Sequence, residues 1–230
     1  MCLIIYSPTG VLVERTVFDH AQQMNPDGLG VMSARGVRKF FGRTARRRAW
    51  RHLRQLAASR VPHGIHFRFA THGVVTRQNC HPFYASNSDA VVMHNGVIGL
   101  TAVAATSLRS DTSIFVEKFM SCAPGPEDSS YERYYRSIGM VIGSWNTLLV
   151  FHTLTETFTI CNEHSGEWIG DHWFSNVYSL PWNEEAGIDG MSFAGLQGEW
   201  GFPDDVVPDE IDEWPTSYSR FGDERYREEP

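Results

Sequence analysis

Cysteine is scarce in this chain, and its spacing suits neither a disulfide framework nor a metal site. The 230 residues include four cysteines, no two of which form a C-x-x-C pair: Cys2, Cys80, Cys122 and Cys161. Four scattered cysteines are too few to staple a secreted domain. Cys161 and His164 on their own supply too few ligands for a metal ion. We therefore expect reduced thiols, no metal and no cofactor.

Long apolar segments and a signal-type N-terminus are also lacking. No run approaches the roughly 18 apolar residues of a membrane helix, and the first residues do not show the basic-then-apolar layout of a signal peptide. We expect a soluble, cytoplasmic protein that does not enter membranes. The formal net charge of −7 argues against nucleic acid as a partner of the whole surface.

Positive charge is concentrated in residues 43–60. Trp50, Leu53 and Leu56 recur there at helical spacing, which predicts an amphipathic helix. Its outer face carries five arginines: Arg46, Arg47, Arg48, Arg51 and Arg54. Such a face is usually just solvated, and the alternative is that it contacts nucleic acid or an acidic partner.

Negative charge is concentrated near the end of the chain, where prolines and isolated aromatic residues accompany it. The acidic pairs are Asp204-Asp205, Asp209-Glu210, Asp212-Glu213 and Glu228-Glu229. A segment of this composition cannot build a core of its own. We therefore divide the chain into one domain of residues 1–198 and an acidic, proline-containing C-terminal tail of residues 199–230.

The order of predicted elements indicates an α+β fold. Strands are predicted at residues 3–7, 30–34, 37–41, 64–70, 89–94, 147–153, 157–162 and 174–180, and helices at 17–24, 43–60, 112–121 and 131–137. Ser110 has the short polar side chain expected just before a helix. Consecutive hairpins without regular βα alternation favour antiparallel sheets over a doubly wound parallel sheet.

Cys2 directly follows the initiator methionine. If Met1 is removed, which a small second residue permits, Cys2 carries both a thiol and a free α-amine. That amine, with an ordinary pKa of about 7.7–8.0, can accept the thiol proton near neutral pH, and the thiolate is the nucleophilic form. Taken alone, Cys2 could equally be a small residue at the start of a strand.

Four further segments stand out for their polar composition: residues 66–73 (HFRFATHG), 79–83 (NCHPF), 94–96 (HNG) and 110–112 (SDT). Separately, Asn95-Gly96 is typical of a turn and Ser110-Asp111-Thr112 of a helix cap. With Cys2, and in this order, the segments resemble the class II glutamine amidotransferases, the glutaminase branch of the N-terminal nucleophile hydrolases. Members open with Met-Cys and carry R-x-A-T-H-G, N-x-H-P, H-N-G and S-D-T.

The resemblance extends over about residues 2–180, including a glycine-containing segment at residues 25–30. It implies a four-layer αββα sandwich of two mainly antiparallel sheets. It also implies that Cys2 attacks the side-chain amide of glutamine, and that Asn95 and Gly96 form the oxyanion hole. The products would be ammonia and glutamate, formed through a γ-glutamyl thioester.

The resemblance further implies a binding site for the amino-acid end of glutamine. Arg68 would bind the α-carboxylate with its planar fork, and Asp111 would pair with the α-ammonium group. Phe69, Thr71 and His72 would line the same pocket, with Phe69 standing where several family members have tryptophan. His81 would support the pocket, or simply hold its own loop in place.

Several functions remain open on this reading. After Leu180 we expect no room for an ammonia-consuming domain, so the chain would act as a stand-alone glutaminase that serves a separate acceptor enzyme. Alternatively it hydrolyses a γ-glutamyl amide other than free glutamine. A third reading is a catalytically inactive binding module, or a nucleic-acid-associated partner that acts through residues 43–60.

Overall fold

The computed structural model describes residues 2–99 and 107–181, which contain ten strands and four α-helices. The strands are β1 (Leu3–Ser7), β2 (Leu29–Ser33), β3 (Gly36–Phe40), β4 (His63–Phe67), β5 (Phe83–Tyr84), β6 (Ala90–Asn95), β7 (Thr147–His152), β8 (Thr157–Cys161), β9 (Glu167–Ile169) and β10 (His172–Phe174). The helices are α1 (Arg15–Met24), α2 (Ala45–Ala58), α3 (Asp111–Phe119) and α4 (Tyr131–Ile142).

The strands form two sheets in which every pairing is antiparallel. One sheet has six strands in the order β3-β2-β4-β1-β10-β9, and the other has four in the order β5-β6-β7-β8. The predicted α+β class with antiparallel sheets is therefore confirmed.

Three apolar clusters define how the sheets and helices are layered. Phe18 and Leu53 from α1 and α2 pack with Ile65 of the six-stranded sheet. On the other side of the molecule, α3 and α4 pack in the same way against the four-stranded sheet. The third cluster joins the sheets to each other, with Ile4 and Trp173 from one and residues such as Leu149 from the other. The order is thus helices, sheet, sheet, helices, in agreement with the sandwich that we predicted.

Burial on both faces explains the apolar composition of the central strands. In β6, Val91 and Met93 face the other sheet, while Ala90 and Val92 face α3 and α4. Successive side chains of a strand point to opposite faces, so a strand between two packed layers needs apolar residues at nearly every position. The fully buried pattern of β6 and β7 follows from this arrangement.

The predicted basic helix is α2. Its buried residues are Ala45, Ala49, His52, Leu53 and Leu56. Of the five arginines, Arg46, Arg51 and Arg54 are exposed, and Arg47 and Arg48 are half-buried. Arg46 lies 3.5 Å from the carboxylate of Asp19 in α1. An exposed pair of this kind contributes at most about 1 kcal/mol to the free energy of unfolding. Binding of nucleic acid by this helix stays a prediction.

The strand predicted at residues 174–180 is wrong, because β10 ends at Phe174. Ser175 Oγ accepts a hydrogen bond from the Ile4 N–H at 2.9 Å. Asn176 Nδ2 donates to the Cys2 carbonyl at 2.8 Å, and its Oδ1 accepts from the Tyr178 N–H at 3.2 Å. After Phe174 the chain is held by these side-chain bonds and by the Ser175 N–H, which donates to the Ile4 carbonyl at 2.9 Å. The predicted boundary at residue 198 and the acidic tail lie outside the described residues.

The lengths and compositions of the described helices bear on membrane insertion. Within residues 2–99 and 107–181, no helix combines the length and the apolar character that crossing a membrane requires.

Candidate active site

The position of Cys2 follows from the pairing of β1 with β4. Leu3 lies opposite Phe67 across these two strands, so the residue before β1 lies beside those that follow β4. Cys2 Sγ accepts a hydrogen bond from the Phe69 N–H at 3.3 Å, and its S–H donates to the Phe69 carbonyl at 3.3 Å. The thiol is thus held by the backbone of the 66–73 motif, 67 residues away along the chain.

Two opposite charges act on this half-buried thiol. Burial raises the pKa of Cys2 above its ordinary value, and the Asp111 carboxylate raises it further. The Phe69 N–H and the Arg68 guanidinium lower the pKa of Cys2. The fold therefore brings the predicted nucleophile and both predicted substrate-binding charges into one neighbourhood. Because burial prevails, the thiol needs a base to lose its proton near neutral pH.

Arg68 is 3% exposed, and only part of its hydrogen-bonding capacity is used by the fold. Nη2 donates to the carbonyls of His72 and Val74, both at 3.3 Å. Nη1 is buried without a partner among the described residues. A buried donor of a charged group is costly when it is unpaired, and a carboxylate is the partner that a guanidinium binds best. The unpaired Nη1 therefore favours an anionic ligand at this position.

Asn79, from the 79–83 motif, connects the loop after Arg68 to the segment that leads into α3. Its Nδ2 donates to the carbonyls of Val74 at 3.0 Å and Leu108 at 2.6 Å, and its Oδ1 accepts from the Ser110 N–H at 3.1 Å. Gly73 packs on the same segment, since an added Cβ would lie 2.8 Å from Ser110 N. These contacts hold the start of α3 beside the loop.

Asp111 occupies the first turn of α3, and the predicted cap precedes it. Ser110 Oγ accepts from the Ser113 N–H at 3.2 Å. The Asp111 carboxylate is 6% exposed by residue and accepts from the N–H groups of Thr112 at 2.7 Å and Ile98 at 2.9 Å. The Thr112 hydroxyl also lies 3.3 Å from Oδ1. Oδ2, which accepts the Ile98 N–H, has capacity for a further donor, so the group can still bind an ammonium ion.

Asn95 and Gly96 lie at the end of β6, where Asn95 is opposite Thr147. Gly96 has φ of +129°, and an added Cβ would lie 2.2 Å from Asn146 Oδ1. Both the backbone conformation and the close approach therefore require glycine. Asn95 Oδ1 is buried without a partner in the described parts of the chain, which leaves an acceptor that a donor group of a ligand could occupy.

The other predicted pocket residues lie on the loop that follows β4. Phe69 is 43% exposed, Thr71 is exposed and His72 is half-buried. His72 Nδ1 has no partner among the described residues, while its carbonyl receives the bond from Arg68. His72 thus contacts Arg68, and Phe69 follows Arg68 in sequence, while the pocket roles of all three stay predictions.

His81 lies in a buried group of histidines rather than on the open loop. Its ring centroid is 3.9 Å from that of His66 and 6.4 Å from that of His94. His66 Nε2 is 3.0 Å from the His94 carbonyl. The glycine-containing segment accommodates this loop, because a Cβ on Gly30 would lie 1.9 Å from the His81 carbonyl oxygen. Support of the pocket by His81, or of its own loop alone, stays a prediction.

Because burial lowers the pKa values of several histidines, we expect the free energy of unfolding to fall at mildly acidic pH. Burial lowers the pKa of His66 to about 3 and that of His52 to about 4. Both are neutral in the folded protein at pH 5, whereas unfolded histidine, with a pKa near 6.5, takes up a proton. Their stabilisation is complete above about pH 6.5 and is lost as the pH falls towards the folded-state values. Each should remove about 1.4 kcal/mol per pH unit from the free energy of unfolding.

Urea denaturation at intervals between pH 7 and pH 5 measures this dependence. His52 lies outside the candidate site. His52→Gln should therefore reduce the slope of the free energy of unfolding against pH by the equivalent of about one proton, without affecting the site. A free energy of unfolding that stays constant across this range would contradict the prediction.

Asn176 is a residue that the sequence did not single out. It is 8% exposed and donates to the Cys2 carbonyl across 174 residues of sequence. Together with the Phe69 contacts, this bond holds Cys2 from two sides. The turn after β10 has no motif, so no local signal could have identified it.

Within the described residues, the candidate site is marked neither by a metal-binding group nor by the cavity that Asp27, Arg43 and Val75 line. The described segments contain no group of three or more His, Cys, Asp or Glu residues placed to hold a metal ion. A cavity of about 270 Å³ is lined by residues that include Asp27, Arg43 and Val75 but not Cys2, Arg68 or Asp111. The candidate site rests on the influence of the Arg68 and Asp111 charges on Cys2 and on the hydrogen bonds that link Asp111, through Thr112, to the His94 side chain just before Asn95-Gly96.

Part of the chain is similar in sequence to glutamine–fructose-6-phosphate aminotransferases. The isomerizing enzyme of Fusobacterium nucleatum is 26% identical over 109 residues, or 44% of this chain and 18% of the relative. That of Listeria monocytogenes is 29% identical over 113 residues, or 46% and 18%. The Halobacterium salinarum enzyme is 46% identical over 46 residues, or 20% and 8%.

These similarities are partial. The matched stretches cover less than half of the chain and less than a fifth of each relative. No family model matches the chain.

Proposed function

We propose that this chain is a glutaminase of the class II glutamine amidotransferase type, with Cys2 as its N-terminal nucleophile. The observation that carries the proposal is a thiol influenced by two charges of opposite sign: Phe69 holds Cys2, the Arg68 guanidinium lowers the pKa of its thiol and the Asp111 carboxylate raises that pKa. The names of the similar enzymes state glutamine as a substrate, which supports the same reading.

The two charges suit the amino-acid end of glutamine. The unpaired Arg68 Nη1 would receive the α-carboxylate through the planar fork. The Asp111 carboxylate would accept hydrogen bonds from the α-ammonium group. With this end fixed, the side-chain amide would extend towards Cys2, which converts a bimolecular encounter into a reaction within one complex.

The proposed reaction begins after Met1 is removed. The free α-amine of Cys2 takes the thiol proton, and the sulfur forms a bond to the amide carbon. The amide oxygen becomes negative and is stabilised by the Asn95 side-chain amide and the Gly96 N–H. Proton transfer to the nitrogen then allows the C–N bond to break, so that ammonia leaves. Water hydrolyses the γ-glutamyl thioester to glutamate and restores the thiol.

A γ-glutamyl amide other than glutamine is the second candidate substrate. Arg68 and Asp111 would bind only the amino-acid end of such a substrate. Phe69 is 43% exposed and its backbone contacts Cys2, so a substituent on the amide nitrogen could pack against its ring. A separate ammonia-accepting enzyme stays a prediction.

The test compares two forms of the protein whose N-terminal masses are verified, one without Met1 and one that retains it. Only the processed form should release glutamate from glutamine. A glutamine-like electrophile should label Cys2, and excess glutamine should protect it. Burial raises the pKa of Cys80 and raises that of Cys161 to about 12, so these two should stay unlabelled.

Cys122 is exposed and serves as an internal control, because glutamine should not protect it from general thiol reagents. Equal glutamate release by the processed and unprocessed forms, or labelling that glutamine does not suppress at Cys2, would refute the mechanism.

A further inference from the structure

His94 connects two parts of the candidate site that are distant in sequence. It lies in β6 directly before Asn95 and is 2% exposed. Its Nδ1 is 2.8 Å from Thr112 Oγ1, and its Nε2 is 2.9 Å from Asn146 Oδ1. The ring therefore bridges the first turn of α3 and the residue that precedes β7.

The partners determine which ring nitrogen carries the proton. Asn146 Nδ2 donates to the Ile142 carbonyl at 2.6 Å, which fixes the amide so that its oxygen faces His94. An amide oxygen only accepts, so Nε2 must donate, and in the neutral ring Nδ1 then accepts from the Thr112 hydroxyl. That hydroxyl also lies 3.3 Å from Asp111 Oδ1, but its contact with Nδ1 is the shorter one, at 2.8 Å. Burial lowers the pKa of His94, which favours this neutral ring.

Both ends of this chain of hydrogen bonds touch residues of the candidate site. Thr112 follows Asp111, whose Oδ1 accepts the Thr112 N–H at 2.7 Å. At the other end, Asn146 Oδ1 lies so close to Gly96 that an added methyl group would be 2.2 Å away. The hydrogen bonds thus run from the carboxylate of Asp111 to Asn146, whose side-chain oxygen lies against Gly96 of the 94–96 motif.

We propose that His94 is a positioning residue, which holds Asn95-Gly96 in register with Asp111 through the Thr112–His94–Asn146 relay. This inference rests on the proposed glutaminase function. The relay fixes the spacing between the point that binds the α-ammonium group and the donors that stabilise the amide oxygen. Oxyanion donors are effective only when they are already in place as charge develops, so a loosened relay should lower kcat more than it raises KM.

Two isosteric substitutions test this role. Thr112→Val removes the hydroxyl that His94 Nδ1 needs and should lower kcat about tenfold, the effect of losing one hydrogen bond. The matched control is Thr147→Val: Thr147 is 2% exposed and opposite Asn95, but its hydroxyl has no partner among the described residues. The control should keep kcat and KM within about twofold. Rates are divided by the amount of protein whose Cys2 the glutamine-like electrophile can label. A partly unfolded sample then cannot be mistaken for a variant with a lower kcat.

The second measurement is the ¹⁵N NMR spectrum of the ten histidines, with His94→Gln used to assign the His94 ring. In the wild type at pH 7, His94 should be neutral with the proton on Nε2, and Thr112→Val should shift its Nδ1 signal. A charged ring, or a proton on Nδ1, would overturn the relay whatever the activity. Equal kcat values for the two valine variants would overturn the positioning role. A wild type with the expected tautomer but no glutamate release would instead overturn the proposed function, and the catalytic role of the relay with it.

Discussion

Replacing Cys2 by serine should lower glutamate release from glutamine by on the order of a thousandfold or more, the loss typical of removing a covalent nucleophile. Serine is also small, so Met1 can still be removed and the α-amine is retained. The hydroxyl, however, is far harder to deprotonate than the thiol, and the environment of Cys2 already opposes deprotonation, since burial raises the pKa of the group at this position. The substitution therefore isolates the contribution of sulfur.

A matched substitution separates this loss from any general effect of removing a thiol. Cys122 is exposed and belongs to none of the site motifs, and Cys122→Ser should keep the activity of the wild type. Glutamate is measured after a fixed time with enzyme of verified N-terminal mass. If Cys2→Ser retains a tenth or more of the activity, the thiol is not the nucleophile and the assignment fails.

The sequence predicted the parts of the fold that have local signals. The apolar run of β6 and the polar cap before α3 depend on residues within a few positions, and both were confirmed, with Ser110 Oγ accepting from Ser113 N–H. The two-residue and three-residue strands β5 and β9 were missed, because so few residues carry no periodicity. The basic helix was predicted from its apolar spacing, and α2 occupies residues 45–58 of the predicted 43–60.

For the site, the motifs identified residues that the fold brings near one another, but not the contacts that hold them. Asn79 belongs to a motif, yet nothing in its local sequence shows that it ties Val74, Leu108 and Ser110 together. Asn146 and Asn176 belong to no motif. They act through long-range contacts, with the His94 ring and the Cys2 carbonyl, and such partners are determined only when the chain is folded.

The erroneous strand at residues 174–180 has the same cause. Aromatic and β-branched residues there match a strand pattern, but the backbone after Phe174 is held by Ser175 and Asn176 through bonds to Ile4 and Cys2. A local propensity is a weak preference, and tertiary hydrogen bonds override it. The departure from the predicted strand thus occurs where the chain approaches the candidate nucleophile.

Replacing Arg68 by lysine should lower kcat/KM for glutamine about a hundredfold, although the charge is kept. Hydrogen bonds to charged groups contribute about 1.5–3 kcal/mol each, and an ammonium group cannot reproduce the two-pronged geometry of a guanidinium. In the wild type, Nη2 is occupied by the carbonyls of His72 and Val74 while Nη1 stays available. A lysine has a single side-chain nitrogen, so its hydrogen bonds to these carbonyls would compete with those to the substrate.

Arg109→Lys is the matched control, because Arg109 is exposed and pairs with Glu117 at the surface; it should change kcat/KM less than about twofold. The decisive measurement compares glutamine with 4-aminobutanamide, which lacks the α-carboxylate. The wild type should strongly prefer glutamine, and Arg68→Lys should lose most of that preference by losing activity on glutamine alone. If the variant is impaired equally on both amides, Arg68 supports the loop and does not bind the carboxylate. The preference ratio therefore distinguishes recognition of the substrate from maintenance of the fold, which the rate on glutamine cannot do.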